Sequence, residues 1–249
     1  MTIMTLDKFY NRVVITAQLI AVTPIHIGGR VDSFKPGEIN GSFIKDIYGR
    51  PYIPGSSLKG ILRAFLSAVM KDPIESEASK NYVTKEDRAK HGTSQELAES
   101  IYEASTKTER LFGSTLMAGK IKVADAMPST ERIETEIRNG VAIERDTHTA
   151  LGGALFDTEV VPAGSAFNFI ASAENLNSCE ADIFGELLEY FADGNITLGG
   201  RSRAGLGVVE LVNIKLKIFK PTHDGFPSST EVKCSKNNIR EEVCKCLQN

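Results

Sequence analysis

Between Arg12 and Val22 the chain reads RVVITAQLIAV, with Val and Ile crowding the first half and Ala17, Leu19 and Ala21 sharing one face of the second. Alternation of this kind predicts a half-buried strand. The period changes at Leu58, where Leu58, Ile61, Leu62, Phe65 and Val69 recur at helical spacing behind Pro54-Gly55-Ser56-Ser57. That stripe predicts an amphipathic helix with a serine N-cap. Strand patterns return at 120–124 and at 167–172, where Phe167, Phe169 and Ala171 alternate. A second helix is predicted from about Glu180 to Asp193, with Ile183, Phe184, Leu187, Leu188 and Phe191 on one side and Gly194 as its stop. A long strand running to Phe219 closes the series. The order strand, helix, strand, strand, helix, strand predicts an α+β, ferredoxin-like (RRM-like) fold with insertions after the first strand, after the first helix and before the third strand.

Two stretches depart from this framework. From Asp72 to Glu109 nine acidic side chains stand against five basic ones, and apolar periodicity lapses apart from Leu97, Ile101 and Tyr102. An inserted, largely helical, solvated subdomain is predicted over about 72–115. Residues 139–157, NGVAIERDTHTALGGALFD, read as an extended excursion with glycine hinges and His148 at a hairpin tip. Beyond Pro221 the chain is polar, with one short helix around Ile239 and Val243. The expected organisation is one domain over 1–220 and a polar tail over 221–249.

Composition narrows the function classes. At 249 residues the chain is long enough to bury a proper core. A formal net charge of -3 argues against coating nucleic acid by bulk charge, but clusters of one sign still create a local field. Residues 42–71 hold Lys45, Arg50, Lys59, Arg63 and Lys71 against the single Asp46. This is either a basic surface or a solvated face. Lys59 and Arg63 lie four apart, one turn from a helix start whose N–H groups favour an anion. Cys179, Cys234, Cys244 and Cys246 form no C-x-x-C pair, so reduced thiols are expected rather than a zinc site or a disulfide framework. No apolar run approaches the roughly 20 residues of a membrane span, and the N-terminus lacks a charged-then-apolar signal pattern. A cytoplasmic protein without a membrane partner is expected.

Glycine-rich segments carry the candidate chemistry. HIGGRVDSFKPGEING, residues 26–41, fits neither common phosphate-loop fingerprint. Asp32, Glu38 and the nearby Asp46 offer carboxylates, yet no spacing marks a metal-ligand set. His26, between Ile25 and Ile27, reads either as an exposed or capped histidine or as a catalytic base. The second cluster, LGGRSRAGLG at 198–207, lets backbone N–H groups approach a phosphate while Arg201 and Arg203 supply charge. The competing reading is a glycine-rich turn with two solvated arginines.

Taken together, HIGG at 26–29, IKD at 44–46, GRPYIPGSSLKG at 49–60, GALFDTEVVPAG at 153–164 and the loop GGRSRAGLG resemble the CRISPR-associated RAMP superfamily. The chain is most similar in pattern to the repeated backbone subunit of type III (Csm/Cmr-like) effector complexes, over about residues 12–219. The resemblance implies a palm with a thumb-like β-hairpin at 139–157 and a subunit that binds CRISPR RNA along its sugar-phosphate backbone. It implies as partners target RNA, copies of itself or homologous backbone subunits, and other type III subunits. Ser56, Ser57, Lys59 and Arg63 would meet guide phosphates, and Gly199, Gly200, Arg201, Arg203, Gly205 and Gly207 would wrap another part of the guide. Val141, Ile143 and Leu151 would form the apolar wedge of the thumb. In the family an aspartate in the first glycine-rich segment supports Mg²⁺-dependent cutting of target RNA. Asn40 stands at its place, eleven positions past Gly29 and four before Ile44. An amide cannot take up a proton as a carboxylate does and binds Mg²⁺ only as a neutral ligand. Three readings follow: a natural non-cutting subunit, an inactivated variant, or compensation by Asp32 or Glu38. The rival from the same superfamily is a metal-independent CRISPR RNA-processing endoribonuclease with His26 as acid or base. A third is a ferredoxin-like interaction module whose glycines serve only turns.

Overall fold

β1 (Arg12–Ala21) buries Val13, Ile15, Ala17, Leu19 and Ala21 and turns the alternate residues outward. It lies at the centre of an antiparallel sheet in the order β2-β5-β1-β6-β7. The others are β2 (Ile121–Val123), β5 (Ala166–Glu174), β6 (Val209–Lys220) and β7 (Ser228–Lys233). The computed structural model describes residues 8–28, 41–73, 94–222 and 225–248. Along β1 the pairs Ile15–Ala171, Ala17–Phe169 and Leu19–Phe167 fix the register with β5, so the apolar sides of both strands face the same way. A bulge opposite Thr16–Gln18 interrupts the pairing with β6, where Asn213 adopts a positive φ of 54°.

Five helices are present among the described residues, and two of them cover the sheet. α1 (Gly55–Met70) buries Leu58, Leu62 and Leu66, while Val69, predicted on its apolar stripe, is 55% exposed. α4 (Ser178–Ala192) buries all five of its predicted apolar residues, and Phe191 meets Phe169 of β5 with ring centroids 5.6 Å apart. Its start is set by a capping box: the Asn177 side chain accepts from Glu180 N–H, and Glu180 accepts from Asn177 N–H.

The predicted serine N-cap of α1 is not what forms. Pro54 is the N-cap residue and makes no side-chain cap, and the Gly55 N–H donates to Asp125 Oδ1 at 2.7 Å. The cause is proximity. A Cβ on Gly55 would lie 2.3 Å from the Val123 carbonyl oxygen, so only glycine lets the helix start come close enough for Asp125 to cap it.

The acidic insertion is helical where described. α2 (Ser94–Ala104) and α3 (Lys107–Phe112), the latter opened by a Thr106–Glu109 capping box, are not merely solvated. Tyr102, Leu111 and Phe112 are buried. Beyond 220 the polar composition conceals an ordered end. β7 adds a strand to β6, and α5 (Ile239–Gln248) packs on α4 with Ile239 and Val243 fully buried. A Cβ on Gly185 of α4 would fall 2.5 Å from Arg240 Cα, so the two helices cross at the glycine. Cys179 and Cys244 are free thiols. Among the described residues no helix is long and apolar enough to cross a membrane. Outside the main sheet, β3 (Glu136–Ile143) and β4 (Ala150–Val160) form a separate two-stranded sheet.

Candidate nucleic-acid interface

Four separate stretches meet around His26. The strand pattern there buries Ile25 and Ile27 and leaves the imidazole half-buried. Its Nδ1 stands 2.8 Å from the Glu159 carbonyl oxygen in β4. A carbonyl can only accept, so Nδ1 carries the hydrogen, and in the neutral form of the ring the lone pair falls at Nε2. The ring is therefore hydrogen-bonded at one nitrogen, as a capped histidine is.

The second glycine loop is built onto this histidine. Gly200 N–H donates to the His26 carbonyl at 2.8 Å, and Gly207 N–H donates to the Pro24 carbonyl at 2.9 Å. Gly199, at φ 85°, has no room for a side chain, because a Cβ would lie 2.2 Å from the His26 carbonyl oxygen. Gly207, at φ 89°, is equally confined by the Leu198 carbonyl, whereas Gly205, at φ 84°, faces open space. Arg201 takes a left-handed φ of 59° at the start of the short 3₁₀ turn Ser202–Ala204. Its guanidinium lies 4.2 Å from the ring centroid of Phe156 in β4. Arg201 is thus an exposed cation that rests on an aromatic ring. Arg203 is exposed.

Glu159 ties the centre together and was not singled out from sequence. Its carboxylate accepts from Lys45 Nζ at 2.5 Å, Thr135 Oγ1 at 2.5 Å and Phe43 N–H at 2.8 Å. Burial alone would raise its pKa, but the hydrogen bonds from Lys45, Thr135 and Phe43 outweigh it and hold the carboxyl below the ordinary range. Glu159 N–H also donates to the Gly41 carbonyl at 2.8 Å, and Gly28 pairs with Phe43. The two ends of the first glycine-rich segment are thus drawn together beside His26. Asn40, Asp32 and Glu38, the carboxylate and amide candidates of that segment, lie outside the described residues. The sequence signal for Glu159 was its place in GALFDTEVVPAG, two residues past Asp157 and directly before Val160-Val161.

The basic segment 42–71 divides in two. Lys45 is paired with Glu159, and Arg50 with Asp46. Asp46 acts as a turn former, accepting from Tyr48 N–H and Arg50 N–H. Its slight desolvation is outweighed by these bonds and by the Arg50 side chain, so its carboxyl sits below the usual range. Lys59 and Arg63 remain on α1. Partial burial and then the like charge of Arg63 lower the Lys59 pKa, the electrostatic condition of a cation pair that an anion would relieve. Ser56 is exposed and Ser57 half-buried at the same helix start, where Asp125 already occupies the Gly55 N–H.

On the β3–β4 hairpin Val141 and Ile143 are 44% and 63% exposed, and Leu151 belongs to β4 with its side chain outside those described. His148 adopts a positive φ of 55° in the turn between the strands, as its hairpin-tip reading requires.

Comparison with known proteins places this geometry in a family. The chain is 29% identical over 222 residues to the CRISPR system Cms endoribonuclease Csm3 of Methanothermobacter thermautotrophicus, covering 84% of this chain and 87% of that protein. It is 29% identical over 254 residues to the Methanocaldococcus jannaschii protein of the same name, covering 94% of each. It is 27% identical over 206 residues to the Enterococcus italicus one, covering 82% of this chain and 91% of the other. The family model of the RAMP superfamily matches residues 18–210. With the greater part of its length matched, the chain belongs to the RAMP superfamily.

Proposed function

We propose that this chain is a guide-RNA-binding backbone subunit of a type III CRISPR interference complex. The observation that carries the reading is the convergence of His26 and the exposed Arg201 and Arg203 on one loop surface, fed by stretches far apart in sequence. Exposed arginines on a glycine-shaped loop suit a sugar-phosphate backbone, contacts to which position a strand without reading its bases. Sequence is then left to base pairing between the guide and its target RNA. The likeness to proteins named Csm3 supports the same assignment.

Within this reading the sheet order β2-β5-β1-β6 is that of a ferredoxin-like palm, extended by β7. The β3–β4 hairpin serves as the thumb, with Val141 and Ile143 as exposed apolar contacts for the guide–target duplex. Lys59 and Arg63 supply a further phosphate contact on α1. Partners are the guide, target RNA, copies of the chain or homologous subunits, and the remaining subunits of the complex.

The relatives are named endoribonucleases, and this chain departs from the family pattern at Asn40. We assign it weak or absent target cutting for that reason. Among the described residues no three His, Cys, Asp or Glu side chains gather as divalent-metal ligands. Asn40→Asp in the assembled complex should create or raise Mg²⁺-dependent cleavage of a guide-paired target; no gain would remove Asn40 from the catalytic position.

The RNA surface itself is tested by guide binding across a salt series. For wild type against Arg201→Ala/Arg203→Ala, the salt slope should fall by about 2 and affinity should drop, since each lost phosphate contact removes about one unit. An unchanged slope and affinity would refute this surface.

A further inference from the structure

We propose, within the RNA-binding reading above, that His26 is a sugar-selective contact: its Nε2 accepts a hydrogen bond from a ribose 2′-hydroxyl and so favours RNA over strands lacking that donor. The argument begins with the other nitrogen. Nδ1 is committed to the Glu159 carbonyl at 2.8 Å, which fixes the hydrogen there and leaves Nε2 as an acceptor in the neutral ring. Glycines line the remaining edge of the imidazole. A Cβ on Gly41 would stand 3.5 Å from Cε1, one on Gly200 3.3 Å from Cδ2, and one on Gly28 3.9 Å from Nε2 itself. No side chain from these three positions can screen the ring, which is half-buried.

Chemistry then selects the ligand. A phosphate diester has no hydrogen to donate, and its oxygens are repelled by a lone pair. The guanidinium of Arg201, one residue beyond the Gly200–His26 hydrogen bond, suits a phosphate. An acceptor on one side of the Gly200–His26 hydrogen bond and a cation one residue beyond it can serve a sugar and a phosphate of one strand, and the group that sugar can offer is the 2′-hydroxyl. The role is binding only; no bond is broken.

The tests use the assembled complex and two oligonucleotides of one guide sequence, one RNA and one 2′-fluoro RNA. The fluoro strand keeps the phosphates but has no hydroxyl to donate. Wild type should prefer RNA. His26→Ala should weaken RNA binding about 3- to 10-fold, the range of a neutral hydrogen bond, while leaving 2′-fluoro binding and the salt slope unchanged. Equal losses on both strands, or none on RNA, overturn the proposal while leaving the RNA surface standing. Failure of wild type to hold either strand overturns both readings. Nitrogen NMR of the His26 ring in the wild-type protein, at mildly alkaline pH, needs no variant: protonated Nδ1 and bare Nε2 are expected, and the opposite tautomer refutes the assignment.

Discussion

At the scale of single residues, the loop glycines separate two demands that sequence cannot distinguish. Gly199 and Gly205 share nearly the same positive φ, but only Gly199 presses on a backbone atom. Gly205→Ala should therefore cost about 1–2 kcal/mol, the left-handed penalty alone. Gly199→Ala should cost distinctly more, because the His26 carbonyl must also move. Denaturant unfolding of both variants checks this; equal midpoints would mean that the close approach is absent. Glu159 makes a pH prediction. Its carboxyl is held below its ordinary value when folded, so its stabilisation is complete above the unfolded pKa of about 4.3 and is lost as pH falls through the lower folded value. Wild type should lose thermal stability on acidification more steeply than Glu159→Gln; parallel curves would exclude the carboxylate as the source. Reading the chain alone located the glycines, His26 and both arginines. Glu159 and Phe156 escaped because their roles depend on partners more than a hundred residues away for the one and in a distant loop for the other.

Among elements, the insertion is fastened by a buried polar cluster. Lys120 Nζ donates to Glu180 Oε2 at 2.7 Å and to the Asn175 carbonyl at 2.9 Å, and Tyr102 of α2 donates to Glu180 Oε1 at 2.7 Å. Burial, followed by the Glu180 hydrogen bond and charge, pushes the Tyr102 phenol well above its ordinary range. Glu180→Ala leaves Lys120 buried without its counter-charge and should cost about 3–5 kcal/mol. Lys122→Ala, on an ion pair whose lysine is 59% exposed, should cost at most about 1 kcal/mol. Similar unfolding midpoints for the two variants would contradict the buried network. Periodicity made α1, α4, β1, β5 and β6 legible because each pairs an apolar stripe with a polar one. β7 was not: SSTEVK has a single apolar residue, Val232, and is held by main-chain pairing with β6. The serine cap of α1 was misread for a related reason, since Asp125 reaches the helix start from seventy residues away.

For the whole molecule, the proposed guide binding would give the surface an RNA side and a structural side. His26, Arg201, Arg203 and the exposed part of α1 would belong to the first; α5, joined to α4 by Arg240 and Asp182, would belong to the second. The most direct measurement is a hydroxyl-radical footprint of the assembled particle with and without its guide RNA. Protection should centre on His26, Arg201, Arg203, Lys59 and Arg63 and spare the outer face of α5. Full reactivity at the glycine loop, with protection concentrated on α5, would contradict the claim that the guide lies against this surface.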